Sequence, residues 1–408
     1  MSDDSRQIYA RPAWLIIVLA IAPAIGLGIC RFAYALVLPD MRESLGWSWS
    51  MAGLMNTVNS AGYLIGALAA SRVIRRFGML ATVKYCTVIC VVTLAQSAVT
   101  DNVLLFGASR LISGIAGAFA MISGSALASH IAQAQPTRQA YYLSLFYIGP
   151  AVGILISGFT APFLLEWFGA GSWWIVWSVL AAISAVMALA LPAVRLSEPA
   201  PAAAAARATI RSGSIIFYLI GYTLFGAGYI AYMTFMIAYV RNAGAGAVAQ
   251  SAFWTCIGVG AIVQPWVWGS AMAKAASGRL TALLLAITAV GALIPLLGNT
   301  PLVLAISAAV FGNAFFAVVS SATAFARLNY PPNAWPSSIA LVTLAFSIGQ
   351  TLGPIATGAI TDAFGSLSYA LNVSAAMLVA GVVACMIHTI VTRDGKPGTQ
   401  LLQQGGSA

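Results

Sequence analysis

The sequence predicts an all-α membrane protein with twelve transmembrane helices, arranged as two six-helix halves related by pseudo-two-fold symmetry. Three observations predict it. The 408 residues are 61% hydrophobic and 7% charged, with a mean hydropathy of +0.92, whereas soluble domains average about 25% charged residues. Long apolar runs recur along the chain, each near the roughly 20 residues that cross a hydrocarbon core as a helix. One polar stretch rich in proline and alanine, Pro192 to Arg211, divides six runs from six. Nine acids and nineteen bases cannot cover a water-facing surface on a chain of this length, which excludes an ordinary soluble enzyme and equally a disordered or fibrous chain. The runs are continuous rather than alternating, which excludes a transmembrane β-barrel.

Taken in order, the short polar stretch Met1 to Arg11 leads into a run too long for the apolar core of a signal peptide and without a small-residue cleavage site. It reads as the first span. Spans are expected at 13–38, 50–70, 79–99, 103–129, 140–165 and 173–192, then at 214–240, 247–269, 280–298, 302–326, 337–363 and 368–391. Breakers separate them: Asp40-Met41-Arg42-Glu43, Asp101-Asn102, Gly298-Asn299-Thr300-Pro301 and Pro331-Pro332-Asn333. The division is a first half over 1–192, a linker over 193–211 and a second half over 212–408. The five cysteines all lie in apolar runs and read as packing groups.

Charge placement sets orientation. With a cytoplasmic N-terminus, fifteen of the nineteen bases fall on the cytoplasmic side: Arg6, Arg11, Arg72, Arg75, Arg76, Lys84, Arg138, Arg195, Arg207, Arg211, Lys274, Arg279, Arg327, Arg393 and Lys396. Only Arg42 and Arg241 fall outside. This is a strong positive-inside bias, and it puts both termini and the linker in the cytoplasm. The net charge of +10 is therefore topology, and nucleic acid is not an expected partner. The bilayer is.

The halves also repeat. Gly149-Pro150 in span 5 returns as Gly353-Pro354 in span 11. Gly26-Leu27-Gly28 in span 1 returns as Gly226-Ala227-Gly228 in span 7, and Gly78 as Gly278. The offsets are all close to 200. A six-plus-six duplication with a solute site between the halves is a transporter architecture.

The sequence resembles the major facilitator superfamily along essentially its whole length. Arg110-Leu111-Ile112-Ser113-Gly114-Ile115-Ala116-Gly117 looks like the family's Arg-x-x-x-Gly-x-x-Gly pattern in span 4, and Gly149-Pro150 with Gly153 resembles its Gly-Pro motif in span 5. The 2–3 loop, Gly66 to Arg76, resembles the signature loop without its acidic residue, Ala70 standing nearest that place. Gly28 to Tyr34, Ala61 to Leu68 and Gly349 to Gly358 further resemble the YbfB-like bacterial branch. The resemblance implies a secondary transporter of the bacterial inner membrane, working as a monomer by rocking of the halves. It implies gating or coupling roles for Arg72, Arg75, Arg76, Arg110, Gly149, Pro150, Gly353 and Pro354. It also implies that helices 1 and 7 line the central cavity.

Two bases remain in the membrane interior, Arg31 and Arg110, while every acid falls in a loop or at a span end. Interior charges are costly and face a bundle interior or a cavity. Arg31 reads either as a guanidinium that holds an anionic substrate through bidentate hydrogen bonds or as a structural arginine that bonds helix-end carbonyls or pairs with Asp40. Arg110 reads mainly as structure or gating. Span 7 carries Tyr218, Tyr222, Phe225, Tyr229, Tyr232 and Tyr239 on one face. Tyr222, Tyr229 and Tyr232 are candidate cavity-lining groups and Tyr34 joins them from span 1, with interhelical packing the alternative. Asn313 is a candidate because span 10 mirrors span 4. Gln350, Asn56, Asn59 and Gln264 read first as amide links between helices. No catalytic, metal or cofactor constellation stands out, since His130 and His388 lack partners at metal-ligand spacing and no nucleotide motif is present. The function expected is gradient-driven or facilitated transport of a small, anionic organic solute, and the alternative is proton-driven efflux of drug-like amphiphiles.

Overall fold

A computed structural model describes residues 11–196, 198, 215–272, 278–298, 300–331 and 334–394. Among these residues there is helix and no strand. In the first half α1 runs Pro12–Leu45, α2 Trp49–Phe77, α3 Met79–Ala98, α4 Val103–Gln133, α5 Gln139–Tyr147 and Gly149–Phe168, and α6 Trp173–Ala188. In the second, α7 runs Ile216–Asn242, α8 Ala247–Met272, α9 Arg279–Leu293, α10 Pro301–Asn329, α11 Trp335–Phe364 and α12 Leu367–Asp394. Eleven of the twelve are long and apolar enough to cross a membrane. The exception, α2, buries Asn56, Asn59 and Ser60 and ends on Arg75 and Arg76, which lowers its hydropathy. Its 29 residues still extend about 43 Å, enough to span. Of the linker 193–211, only 193–196 and 198 lie among the described residues.

Side chains at their own N-caps explain three of the helix starts. Ser48, Asn102 and Thr300 accept hydrogen bonds from first-turn N–H groups of α2, α4 and α10, which satisfies donors a helix start leaves open. One boundary corrects the sequence reading. Asp40-Met41-Arg42-Glu43, expected as a loop, belongs to α1, and Asp40 is 3% exposed. Its carboxylate accepts from the N–H groups of Gly171 and Trp173, both at 2.9 Å. It thus caps α6, where a buried charge is hydrogen-bonded and sits at the positive end of a helix dipole. The chain turns only at Gly46, whose φ of +64° suits glycine.

The halves are built alike. α2 packs on α4 as α8 packs on α10, α1 on α5 as α7 on α11, and α3 on α6 as α9 on α12. The repeated glycines sit at these crossings. A Cβ on Gly28 would lie 2.5 Å from Gly153 Cα and from Pro150 O, and one on Gly353 would lie 2.9 Å from Ala227 Cα. The two Gly-Pro motifs thus mark the same close crossing in each half. They differ in the chain itself: α5 breaks at Ile148, just before Gly149-Pro150, whereas α11 continues through Gly353-Pro354. Between the halves, α2 lies along α11 and α5 along α8. The helix ends near residues 40–49, 166–173, 241–247 and 362–367 form one face of the bundle, the distal face. The ends near 77–79, 133–139 and 329–335 form the proximal face.

Candidate functional site

Arg31 is positioned by an irregularity in α1. Pro23 lies within the helix, and the nine residues Ala24–Phe32 are π-helical. Proline removes a backbone donor, and the glycines at 26 and 28 admit the close approach of α4 and α5. A π-helical run of this length is rare, and such distortions concentrate at functional sites. Arg31 stands at its end, 4% exposed. Its Nη2 donates to Ser60 Oγ on α2 at 3.1 Å and to Gln350 Oε1 on α11 at 2.7 Å. Tyr229 on α7 donates to the same Gln350 oxygen at 3.3 Å. Three helices from both halves therefore meet at the uncharged Gln350 oxygen, and Arg31 links α2 to them through Ser60. Two donors in the cluster have no partner, Arg31 Nε and Gln350 Nε2. Burial without a partner is costly for such groups. Tyr63 on α2 lies beside Arg31, 5.6 Å from the guanidinium to the ring centroid.

Arg110 is differently used. Its guanidinium donates to the carbonyls of Cys30 and Met55 and to Asn56 Oδ1, and it lies 4.7 Å from the centroid of the Tyr34 ring. Every nitrogen is engaged within the first half. Asn56 continues the chain across to the second half, donating to Thr234 Oγ1 at 2.6 Å. Tyr34 belongs to this cluster rather than to that of Arg31, and its hydroxyl donates to Ala52 O at 2.8 Å. Arg31 does not reach Asp40, and among the described residues the one ion pair is Arg241–Glu43.

The tyrosines of α7 form a column of stacked rings with phenylalanines of α10 and α11. Tyr218 stacks on Phe325 at 4.1 Å, Tyr222 on Phe346 at 5.3 Å, Tyr229 on Phe346 at 5.4 Å and Tyr232 on Phe311 at 4.1 Å. The ends of the column bond within their own half, Tyr218 with Thr281 and Tyr232 with Ser307. Of the hydroxyls, that of Tyr229 reaches the Arg31 cluster. Asn313 is apart from it, its Oδ1 accepting from Trp268 Nε1 at 2.8 Å. Arg72, Arg75 and Arg76 are exposed at the proximal end of α2.

The sequence reading ranked Gln350 below Asn313. The available signal was its place one turn before Pro354, on the face that also carries Phe346 and Gly353.

The distal face is fastened by carboxylates. Asp362, at the end of α11, accepts from the N–H groups of Trp49 and Ser50 at 2.8 Å and from Ser50 Oγ at 2.5 Å. Glu166, at the end of α5, accepts from the N–H of Ala247 at 3.3 Å. Each carboxylate thus sits on the first residues of the facing helix of the other half, α2 or α8, where the dipole favours it. Glu43 and Arg241, at matching ends of α1 and α7, pair at 2.7 Å.

Twelve helices in two like halves, joined at their centre by a polar cluster and at one face by carboxylate contacts, define the architecture of a multi-pass membrane transporter. Residues 23–386 match the family described as uncharacterised MFS-type transporter YbfB, and the chain belongs to that family. Among solved structures it is similar to a bacterial homologue of the human lysosomal transporter Spinster in an inward-facing, unoccupied conformation. That match has 13% identity and a TM-score of 0.70, covering 95% of this chain and 98% of the other. It is also similar to the nucleoside transporter NupG, with 14% identity, a TM-score of 0.69 and coverage of 92% and 99%. No curated protein matches the sequence.

Proposed function

We propose that this transporter carries a small organic anion, with Arg31 as the group that binds it. The observation that carries the reading is the state of Arg31. It is a buried cation with no carboxylate partner, held by the neutral oxygens of Ser60 and Gln350 and with Nε free. A carboxylate that replaces Gln350 Oε1 gains a charge-assisted, two-pronged bond. It also gives Gln350 Nε2 an acceptor. The ligand then touches both halves at once, through α1 and α11. Tyr63 and Tyr229 flank the position and suit an aromatic or apolar body. Tyr222 and Tyr232 hold the ring column on either side of Tyr229, whereas Tyr34 and Asn313 are bonded elsewhere.

Movement follows from the same geometry. Residues 1–192 and 212–408 rock as two bodies, with 193–211 as their tether. In this conformation Asp362, Glu166 and the Glu43–Arg241 pair close the distal face. Arg110, Gly149, Pro150, Gly353 and Pro354 keep each half rigid while it rocks. With both termini cytoplasmic in a bacterial inner membrane, the distal face is the external one, and the state is inward-facing, as in the Spinster homologue. Among the described residues no carboxylate pairs with Arg31, and the one buried acid, Asp40, is committed to capping α6, which favours exchange, uniport or a proton carried with the substrate over proton-driven cation efflux. A thermal-shift panel of the purified protein against benzoate, other carboxylates and cationic amphiphiles tests the reading. Stabilisation by carboxylates that Arg31→Ala abolishes supports it. Stabilisation by cations alone overturns it in favour of amphiphile efflux.

A further inference from the structure

A groove of about 350 Å³ runs along the flank of the first half between α2, α3 and α4. Its floor is made of small side chains, Thr82, Cys86 and Ala116, each at most 6% exposed. Its walls are large and open to the surroundings: Phe77 and Tyr85 near the proximal end, then Ile89 and Ile112. The lining covers seven steps of α3 and seven of α4, about 10 Å at 1.5 Å per residue. That is two thirds of the roughly 15 Å depth of one leaflet.

Charge is concentrated at the proximal mouth of this groove. Val73 and Phe77 line it from α2, and Arg76 shares their face, its guanidinium 5.5 Å from the Phe77 ring centroid. Arg72 and Arg75 stand on the same last two turns. None of the three arginines forms an ion pair among the described residues. Glu198, the acid beside Gly78, is already committed: it accepts from the N–H groups of Met79 and Leu80 at 2.6 and 2.7 Å, which caps α3. Lys84 is held too, donating to Val194 O at 2.8 Å.

We propose that the groove and the Arg72-Arg75-Arg76 cluster form a binding site for an anionic phospholipid. One acyl chain lies over Thr82, Cys86 and Ala116, and the phosphate sits on the guanidiniums. A slot with a small-residue floor and bulky walls takes a single methylene chain, and three cations at its interfacial end, without an ion-pair partner among the described residues, select a negative headgroup. The occupant stands beside Gly78, where Glu198 and Lys84 hold the start of the central linker. A bound lipid therefore buttresses the point at which the linker leaves the first half.

Native mass spectrometry of the full, delipidated chain tests this, titrated with phosphatidylglycerol or with phosphatidylcholine of the same acyl chains. The expected result is retention of phosphatidylglycerol about tenfold better than phosphatidylcholine. Arg75→Gln with Arg76→Gln should bring the two lipids level. Ala116→Phe fills the floor and should reduce retention of both. Ile112→Asn alters an exposed wall with little risk to folding and should do the same more weakly. Equal retention by the unsubstituted protein overturns the proposal, as does a preference that survives the arginine substitutions. Retention unaffected by both groove variants overturns the acyl-chain seat, as does full competition by soluble glycerol 3-phosphate.

Discussion

Asp362→Asn isolates the strongest of the distal contacts. The substitution keeps size and shape and removes the charge. Asp362 receives three hydrogen bonds from Trp49 and Ser50 across the seam between the halves. The asparagine oxygen can keep one or two of them, but its NH₂ group faces donors on the other side. A charge at a helix N-terminus contributes about 0.3–1 kcal/mol. A hydrogen bond to a charged group contributes about 1.5–3 kcal/mol when sheltered. Asp362 is exposed, so screening reduces both terms. The net loss is about 1–2 kcal/mol, which moves the ratio of distal-closed to distal-open protein roughly 5–30-fold toward open. Spin labels at Ala170 and Asn242, on the distal ends of the two halves, read this as a distance distribution once the half-buried Cys256 is replaced by serine. The variant should gain a longer-distance population that the unsubstituted protein lacks. An unchanged distribution refutes the assignment of Asp362 as a latch.

Other substitutions separate packing from recognition. Gly28→Ala places a methyl group against Gly153 and Pro150. It should cost about 1–3 kcal/mol, seen as a lower Tm, because backbone rather than a flexible side chain must move. Arg110→Gln leaves the carbonyls of Cys30 and Met55 without their buried donor, and the loss of about 1–3 kcal/mol for each unpaired group should appear as poor expression and a lowered Tm. Tyr232→Phe removes a bond to Ser307, which keeps its own bond to Gly291 O. It should lower stability by about 1 kcal/mol and leave KM unchanged. Tyr229→Phe, which removes a donor from the Gln350 cluster, should change KM for transport.

The sequence made the helices legible because each had to satisfy its backbone within a bilayer, and a run of apolar residues is the visible consequence. Three helix starts are also marked locally, by Ser48, Asn102 and Thr300. Asp40 escaped because a carboxylate reads as a loop residue until its partners are known. Those partners, Gly171 and Trp173, lie more than 130 residues away in the chain. Separation in the chain likewise hides the Asp362 and Glu166 contacts, 312 or more and 81 residues from their partners. Arg31 was visible as a lone charge in an apolar run, yet its neighbour Gln350 was not, since an amide in a helix looks alike whether it links helices or faces a ligand. The π-helical stretch of α1 left only a faint trace, a proline followed by two glycines.

The central claim is that Arg31 binds the anionic group of the solute. It is tested most directly by saturable uptake of a carboxylate, benzoate or the strongest stabiliser from the thermal-shift panel, into proteoliposomes. Arg31→Ala should abolish saturable uptake. Arg31→Lys, which keeps the charge but loses the planar fork, should transport with a KM raised at least tenfold. Uptake by Arg31→Ala with the KM of the unsubstituted protein contradicts the account.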